Sequence, residues 1–200
     1  MVRRNGSLAE RIGDELRFVK TFATSPLKMG TFTPSGRALA EAMVDHATVD
    51  PAGWTLEIGP GTGAVTEVLI DRGVPPERLV CLEYDADFCR LLQRRFPRLH
   101  VIQGDALKLD ETLGQFANAR YSAVLSGIPL LNLPKAKRLP YLESALQLLV
   151  EGGNVTQLSY GFLPPQDAVA GRLTVDKSKW VTANFPPGRI WIYRRPNTAA

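Results

Sequence analysis

Between Trp54 and Tyr160 the chain alternates five short apolar segments, WTLEI, LVCLE, LHVIQ, YSAVLSG and NVTQLSY, with stretches of helical spacing. Few folds accept that pattern. Apolar runs this short read as strands covered on both faces, and the helices expected over 63–71, 85–96 and 134–149 are long enough to cross back over a sheet. The expected fold class is therefore α/β, a mainly parallel sheet with ligand loops at the C-terminal ends of its strands. The tail SKWVTANFPPGRIWIYRR breaks the alternation and reads as two strands joined around Phe185-Pro186-Pro187-Gly188, an antiparallel hairpin at one sheet edge. A chain of 200 residues, 44% of them hydrophobic, has enough apolar surface for one such domain.

Two helices are expected ahead of the sheet. Leu8, Ile12, Leu16, Val19 and Phe22 recur at spacings of three and four, so residues 1–26 read as an amphipathic helix that Pro26 ends, with 27–200 as the domain proper. Thr33 and Pro34 suit the N-cap and first position of a second helix running to His46. The first 28 residues carry six Lys/Arg against three Asp/Glu and the last 41 carry six against two, while the centre is slightly acidic. Basic ends of this kind suit an anionic surface such as lipid or nucleic acid. No apolar run approaches the roughly 20 residues that span a bilayer, and the charged N-terminus lacks a signal-peptide core, so a cytoplasmic protein is expected. Cys81 and Cys89 are the only cysteines and His46 and His100 the only histidines, which leaves no disulfide framework and no metal-ligand spacing.

The first strand runs into a glycine loop, Leu56-Glu57-Ile58-Gly59-Pro60-Gly61-Thr62-Gly63, where Gly59, Gly61 and Gly63 let backbone approach a ligand closely. The relaxed dinucleotide pattern fits Gly59, Gly61 and Ala64 as well. The charges separate the two readings. A pyrophosphate is repelled by a carboxylate such as Glu57 at the strand end, whereas S-adenosylmethionine carries an ammonium and a sulfonium and is attracted to it. Glu83 ends the second strand, where a carboxylate accepts from both ribose hydroxyls, with Tyr84 beside it. Asp105 follows the third strand and is placed to accept from an adenine amino group, with Ala106 packing near the ring. Acids at three successive strand ends argue for S-adenosylmethionine as cofactor, leaving S-adenosylhomocysteine as product.

These motifs carry a resemblance. LEIGPGTG with LEYD and GDA resembles the Rossmann-like class I S-adenosylmethionine-dependent methyltransferases, and EIGPGTG is similar to the loop of the ribosomal RNA adenine dimethylases. The segments SPLKMGTFTPSG and SGIPLLNLP extend the likeness to the bacterial phospholipid N-methyltransferases over about residues 10 to 195. That resemblance implies stepwise methylation of phosphatidylethanolamine toward phosphatidylcholine by a peripheral enzyme at the cytoplasmic face of the inner membrane. The alternative it leaves is an RNA adenine N6-methyltransferase. Against RNA, the fourth strand ends Ser126-Gly127-Ile128-Pro129-Leu130, with neither an Asn or Asp before the proline nor an aromatic after it to stack a flipped base.

On the lipid reading, Tyr160 is the candidate for holding the amine, with Ser126 and Asn132 as further catalytic candidates; Asn132 and Pro134 also suit the cap of the next helix. The resemblance implies that the N-terminal helix docks on an anionic membrane through residues such as Arg4, Arg11, Arg17 and Lys20. Lys135, Lys137 and Arg138 are placed to meet a headgroup phosphate. A monomer without nucleic acid or metal is expected.

Overall fold

The computed structural model describes residues 34–183 and 186–196. Helix α1, Pro34–Asp45, begins at the proline expected to open it. The expected N-terminal amphipathic helix, with Arg4, Arg11, Arg17 and Lys20, lies outside the described residues.

A seven-stranded sheet follows, built from β1 (Trp54–Ile58), β2 (Leu79–Glu83), β3 (His100–Gln103), β4 (Tyr121–Ser126), β5 (Leu149–Ser159), β6 (Thr174–Lys177) and β7 (Arg189–Arg194). Its order is β3-β2-β1-β4-β5-β7-β6, parallel from β3 through β5, with β7 antiparallel to both of its neighbours. Helices α2 (Ala64–Asp71), α3 (Ala86–Arg95), the single turn α4 (Leu109–Thr112) and α5 (Lys135–Gln147) connect the strands. The class expected from the strand and helix alternation is the one observed.

Period-two alternation divides the sheet's side chains between two apolar layers. Leu56, Ile58, Val124, Val155, Trp191 and Tyr193 face α5, while Cys81, Ala123, Leu125 and Ile190 face α1, α2 and α3. The order reverses between β1 and β4, where one strand leads outward to β2 and the next returns on the other side. In open α/β sheets that switch point opens the ligand crevice.

The C-terminal hairpin differs from the expectation in its pairing. Strand β7 partners Thr174–Lys177 rather than the residues just before Phe185, and Val181 meets Gly188 only as an isolated bridge. Ser178 explains the departure. Its amide donates to the Ile190 carbonyl at 2.8 Å, but its own hydroxyl accepts the Ile190 N–H at 2.9 Å, so a side chain ends the ladder there.

The segment between β5 and β6 has no regular structure and is held by side chains. The Tyr193 hydroxyl donates to the Gln166 carbonyl at 3.0 Å and accepts the Gln166 N–H at 3.1 Å. Arg172 makes a two-pronged ion pair with Glu143 of α5, both contacts at 2.6 Å.

Candidate active site

The strand ends of β1, β2 and β3 place the predicted acids along one edge, and sheet hydrogen bonding continues into each loop. Gly59 N–H donates to Leu82 O at 2.8 Å, Gly104 N–H to Glu83 O at 2.9 Å and Gly127 N–H to Ile58 O at 2.8 Å. The loops are thus fixed by the same ladder that fixes the strands.

Gly59 and Gly61 hold φ of 71° and 55°, a region that disfavours side chains. A Cβ on Gly59 would lie 2.9 Å from Ile128 Cγ2, so this glycine lets the loops after β1 and β4 pack together. A Cβ on Gly61 would meet nothing within 4 Å. Gly61 therefore leaves its space open to a ligand. From below, Arg95 of α3 donates to the Thr62 carbonyl and steadies the loop.

Glu83 does two things at once. Its Oε2 accepts from Gly61 N–H at 3.0 Å and its Oε1 from Asp85 N–H at 2.9 Å, which ties the glycine loop to the turn after β2. A carboxylate has about four lone-pair sites, so two remain for a ligand's hydroxyl pair. Tyr84 follows with its ring 57% exposed, an uncovered flat surface next to that carboxylate. Asp105 N-caps the turn Ala106–Lys108 by accepting from Leu107 N–H at 2.9 Å through Oδ1, leaving Oδ2 for an amine donor.

Glu57 sits differently from its acidic neighbours. It is 2% exposed, and its Oε2 accepts from Thr66 Oγ1 at 2.6 Å and from Cys81 Sγ at 3.6 Å. Gly63, the N-cap of α2, has no side chain to offer the helix's free amides, and the carboxylate from β1 lies at that positive end instead. Burial pushes the Glu57 carboxyl up to about 7, against the lowering effect of the Thr66 and Cys81 hydrogen bonds. Its influence on a cation at the loop is exerted through space from a nearly enclosed position. Both cysteines are buried and free.

The substrate side revises several expectations. Ser126 is fully enclosed, its hydroxyl 2.8 Å from that of Tyr141, so it braces β4 against α5 and does not reach a substrate. Its position on the layer facing α5 decides this. Asn132 is exposed and does not cap α5; the N-cap is Pro134, without a side-chain hydrogen bond. Each guanidinium nitrogen of Arg138, expected at a headgroup phosphate, is already engaged by a carbonyl. Its Nε donates to Leu133 O at 2.9 Å, Nη1 to Pro165 O at 3.0 Å and Nη2 to Leu131 O at 2.8 Å, clipping the loop after β4 to the loop after β5. Lys135 remains exposed at the start of α5. Tyr160 stands at the end of β5, 42% exposed, its Cε1 within 3.3 Å of where a Cβ on Gly188 would be.

Two residues escaped the sequence reading. Thr66 was hidden in an ordinary helical stretch, but its place three residues after Gly63 sets it at the helix end that receives Glu57. Gln157 is fully buried and donates from Nε2 to Ile128 O at 2.8 Å, fixing the loop after β4 from the neighbouring strand. A glutamine at an inward position of NVTQLSY is the signal that could have found it.

The chain is similar to proteins of two kinds. The family model for ribosomal RNA adenine dimethylase matches residues 36–129. The ornithine lipid N-methyltransferase of Singulisphaera acidiphila is 30% identical over 149 residues, covering 73% of this chain and 78% of that enzyme. The chain belongs to the family of that methyltransferase. It is a class I S-adenosylmethionine-dependent methyltransferase, with S-adenosylmethionine as its cofactor. The open space at Gly61, the spare lone pairs of Glu83 and the bare ring of Tyr84 fit that cofactor's ribose and adenine.

A ribosomal RNA small subunit methyltransferase A from Synechococcus sp. is 49% identical over 80 residues, 36% of this methyltransferase and 27% of the relative. The methyltransferase thus spans about a quarter of that protein's length. Among solved structures, Haemonchus contortus phosphoethanolamine N-methyltransferase 1, in complex with phosphoethanolamine and S-adenosylhomocysteine, superposes with a TM-score of 0.66 at 14% identity, over 98% of this chain and 51% of that one. At that identity the likeness is one of fold. Among the described residues no group of three His, Cys, Asp or Glu side chains is arranged to hold a metal.

Proposed function

We propose that this methyltransferase N-methylates the primary amine of a membrane lipid, phosphatidylethanolamine, stepwise toward phosphatidylcholine while attached to an anionic bilayer surface. The observation that carries the reading is the apolar rim beside the strand ends. Leu131, Phe162 and Leu163 are 43%, 83% and 77% exposed, on loops that Arg138 joins to one another. Exposed apolar groups gathered at the mouth of a site suit an acyl chain or a bilayer better than a polynucleotide. The match to the adenine dimethylase family ends at Pro129, so what is shared with it is the cofactor half.

Bound S-adenosylmethionine supplies a methyl group on a sulfonium carbon. The acceptor nitrogen must be neutral, and an amine titrating like lysine costs about 4 to 5 kcal/mol to deprotonate at pH 7. Ile128 and the Tyr160 ring flank the end of the sheet where the amine would enter, and an apolar lining lowers an amine's pKa by desolvation. Tyr160, 42% exposed beside that entry, is the candidate for orienting it. With Gln157 and Arg138 fixing the two loops, much of the catalysis would be positioning.

Membrane attachment is assigned to Arg4, Arg11, Arg17 and Lys20, with Lys135 at the start of α5 as a further cation; each cation near an anionic surface contributes about 1 kcal/mol. Among the described residues no helix is long and apolar enough to cross a membrane. Changing the four N-terminal cations to Glu in the full chain should abolish sedimentation with anionic vesicles and spare cofactor affinity.

The direct test offers methyl-labelled S-adenosylmethionine with vesicles of phosphatidylethanolamine or ornithine lipid, and with unmodified ribosomal RNA. Label in methylated phosphatidylethanolamine is the expected result. Label confined to ornithine lipid would move the substrate within the lipid class, and label confined to RNA would overturn the lipid reading.

A further inference from the structure

Arg189 opens β7 opposite Ser159, the last residue of β5, on the edge that carries the ligand loops. It is only 9% exposed, and among the described residues its side chain has neither a hydrogen bond nor an ion pair; its Nε is buried without a partner. Two indoles hold it, with the guanidinium carbon 4.5 Å from the centre of the Trp180 ring and 5.5 Å from that of Trp191. Cation–π contact offsets part of the desolvation cost but leaves the donors of the fork unspent.

Packing alone does not account for this residue. A guanidinium whose Nε is buried without an acceptor is costly, and an apolar side chain would fill the space between two tryptophans at lower cost. The surroundings indicate what the donors await. Gly188 brings Tyr160 to the same corner, and Phe162, whose ring centre lies 5.2 Å from that of Trp180, extends the apolar rim above it. A cation beside the candidate amine site and beneath an apolar rim matches a lipid headgroup that carries its anion a few bonds from its amine.

We infer that Arg189, clamped by Trp180 and Trp191, is a binding subsite for the anionic group of the substrate headgroup, a phosphodiester or a carboxylate. This rests on the lipid reading above. The fork accepts either anion in two-pronged fashion and sets the distance at which the amine is presented. A headgroup without an anion would cover the guanidinium and leave it unpaired, so the subsite selects as well as binds.

The test uses the full-length protein saturated with S-adenosylhomocysteine and reads tryptophan fluorescence during titration with soluble short-chain lipids. Dihexanoyl phosphatidylethanolamine should bind at least tenfold more tightly than a matched aminoethyl ether lipid lacking the phosphodiester, and short-chain ornithine lipid more tightly than its carboxylate methyl ester if the carboxylate is the natural anion. Arg189→Gln should erase the preference by weakening only the anionic ligand. Arg189→Lys, which keeps charge but not the fork, should restore part of it. No preference for either anion in the unmodified protein, a result that needs no variant to fold, overturns the subsite; so does a preference that survives Arg189→Gln. An Arg189-dependent preference in a protein that methylates no lipid would uphold the subsite and sink the lipid-methylation reading alone.

Discussion

The Thr66 hydroxyl donates to Glu57 Oε2 at 2.6 Å, with both side chains buried on either side of the glycine loop. The bond joins the end of β1 to the first turn of α2 and holds an acid where water does not reach it. Burial raises the Glu57 carboxyl from 4.5 to about 7, so between those values the folded protein keeps a proton that the unfolded chain gives up. The contribution of this group to stability is therefore greatest at the acid end of that window and falls as pH rises through it. A difference of that size corresponds to roughly 3 kcal/mol as an upper bound. Glu57→Gln keeps an acceptor for Thr66 and removes the titration. Thermal melts of the cofactor-free protein should show the variant gaining on the parent between pH 5 and pH 8; parallel curves would refute the assignment.

The same carboxyl should respond to the cofactor. A sulfonium and an ammonium nearby favour the ionised form, so binding S-adenosylmethionine near pH 7 should release a proton. Calorimetry in buffers of different ionisation enthalpy reads that proton directly. S-adenosylhomocysteine, without the sulfonium, should release less, and Glu57→Gln should release none from this site.

Glu83 offers one oxygen to Gly61 and the other to Asp85, so replacing it by Gln sets an NH2 group against one of two N–H donors. Leaving such a donor unpaired costs about 1 to 3 kcal/mol. Glu83→Gln should weaken S-adenosylmethionine binding by about tenfold to a hundredfold, with the circular dichroism spectrum unchanged. Unaltered affinity by calorimetry would remove Glu83 from the cofactor site.

Three carbonyls receive the Arg138 guanidinium, a geometry that a lysine ammonium cannot reproduce. Arg138→Lys should lower the melting temperature by several degrees, and kcat/KM for lipid should fall with it. Vesicle binding and its salt dependence should stay as they were. A selective loss of vesicle binding would return Arg138 to the headgroup role expected from the sequence.

Gly104 precedes Asp105 and has no room for a methyl group, since a Cβ there would run into Thr112 Cγ2. Gly104→Ala should displace the turn that holds Asp105 and weaken cofactor binding. Thr112→Ser removes the offending methyl while keeping the hydroxyl that donates to Asp105 O at 3.1 Å. The double variant should recover most of the loss, and additive losses would show that the crowding lies elsewhere.

The five strands of the parallel core, the three longer helices between them and the acids at three strand ends were legible in the sequence; the single turn Leu109–Thr112 was not. Each depends on residues close together in the chain. Apolar runs bounded by glycine and proline make strands and turns locally, and a carboxylate that ends such a strand is carried to the ligand edge whatever the rest does. Partnership between distant residues was not legible. Nothing local to Arg138 indicates three carbonyls on two loops, and nothing local to Ser126 indicates the hydroxyl of Tyr141. The pairing of β7 with Thr174–Lys177 likewise hangs on Ser178 meeting Ile190 across the hairpin. Arg189 lies between the two cases. Its alternation with Trp191 and Tyr193 in RIWIYR already put it on an inward face, but only the approach of Trp180 and an Nε buried without a partner among the described residues made it a candidate anion site. Sequence periodicity decides which face a side chain takes; the tertiary structure alone decides what it meets there, because that depends on chain segments brought together only by folding.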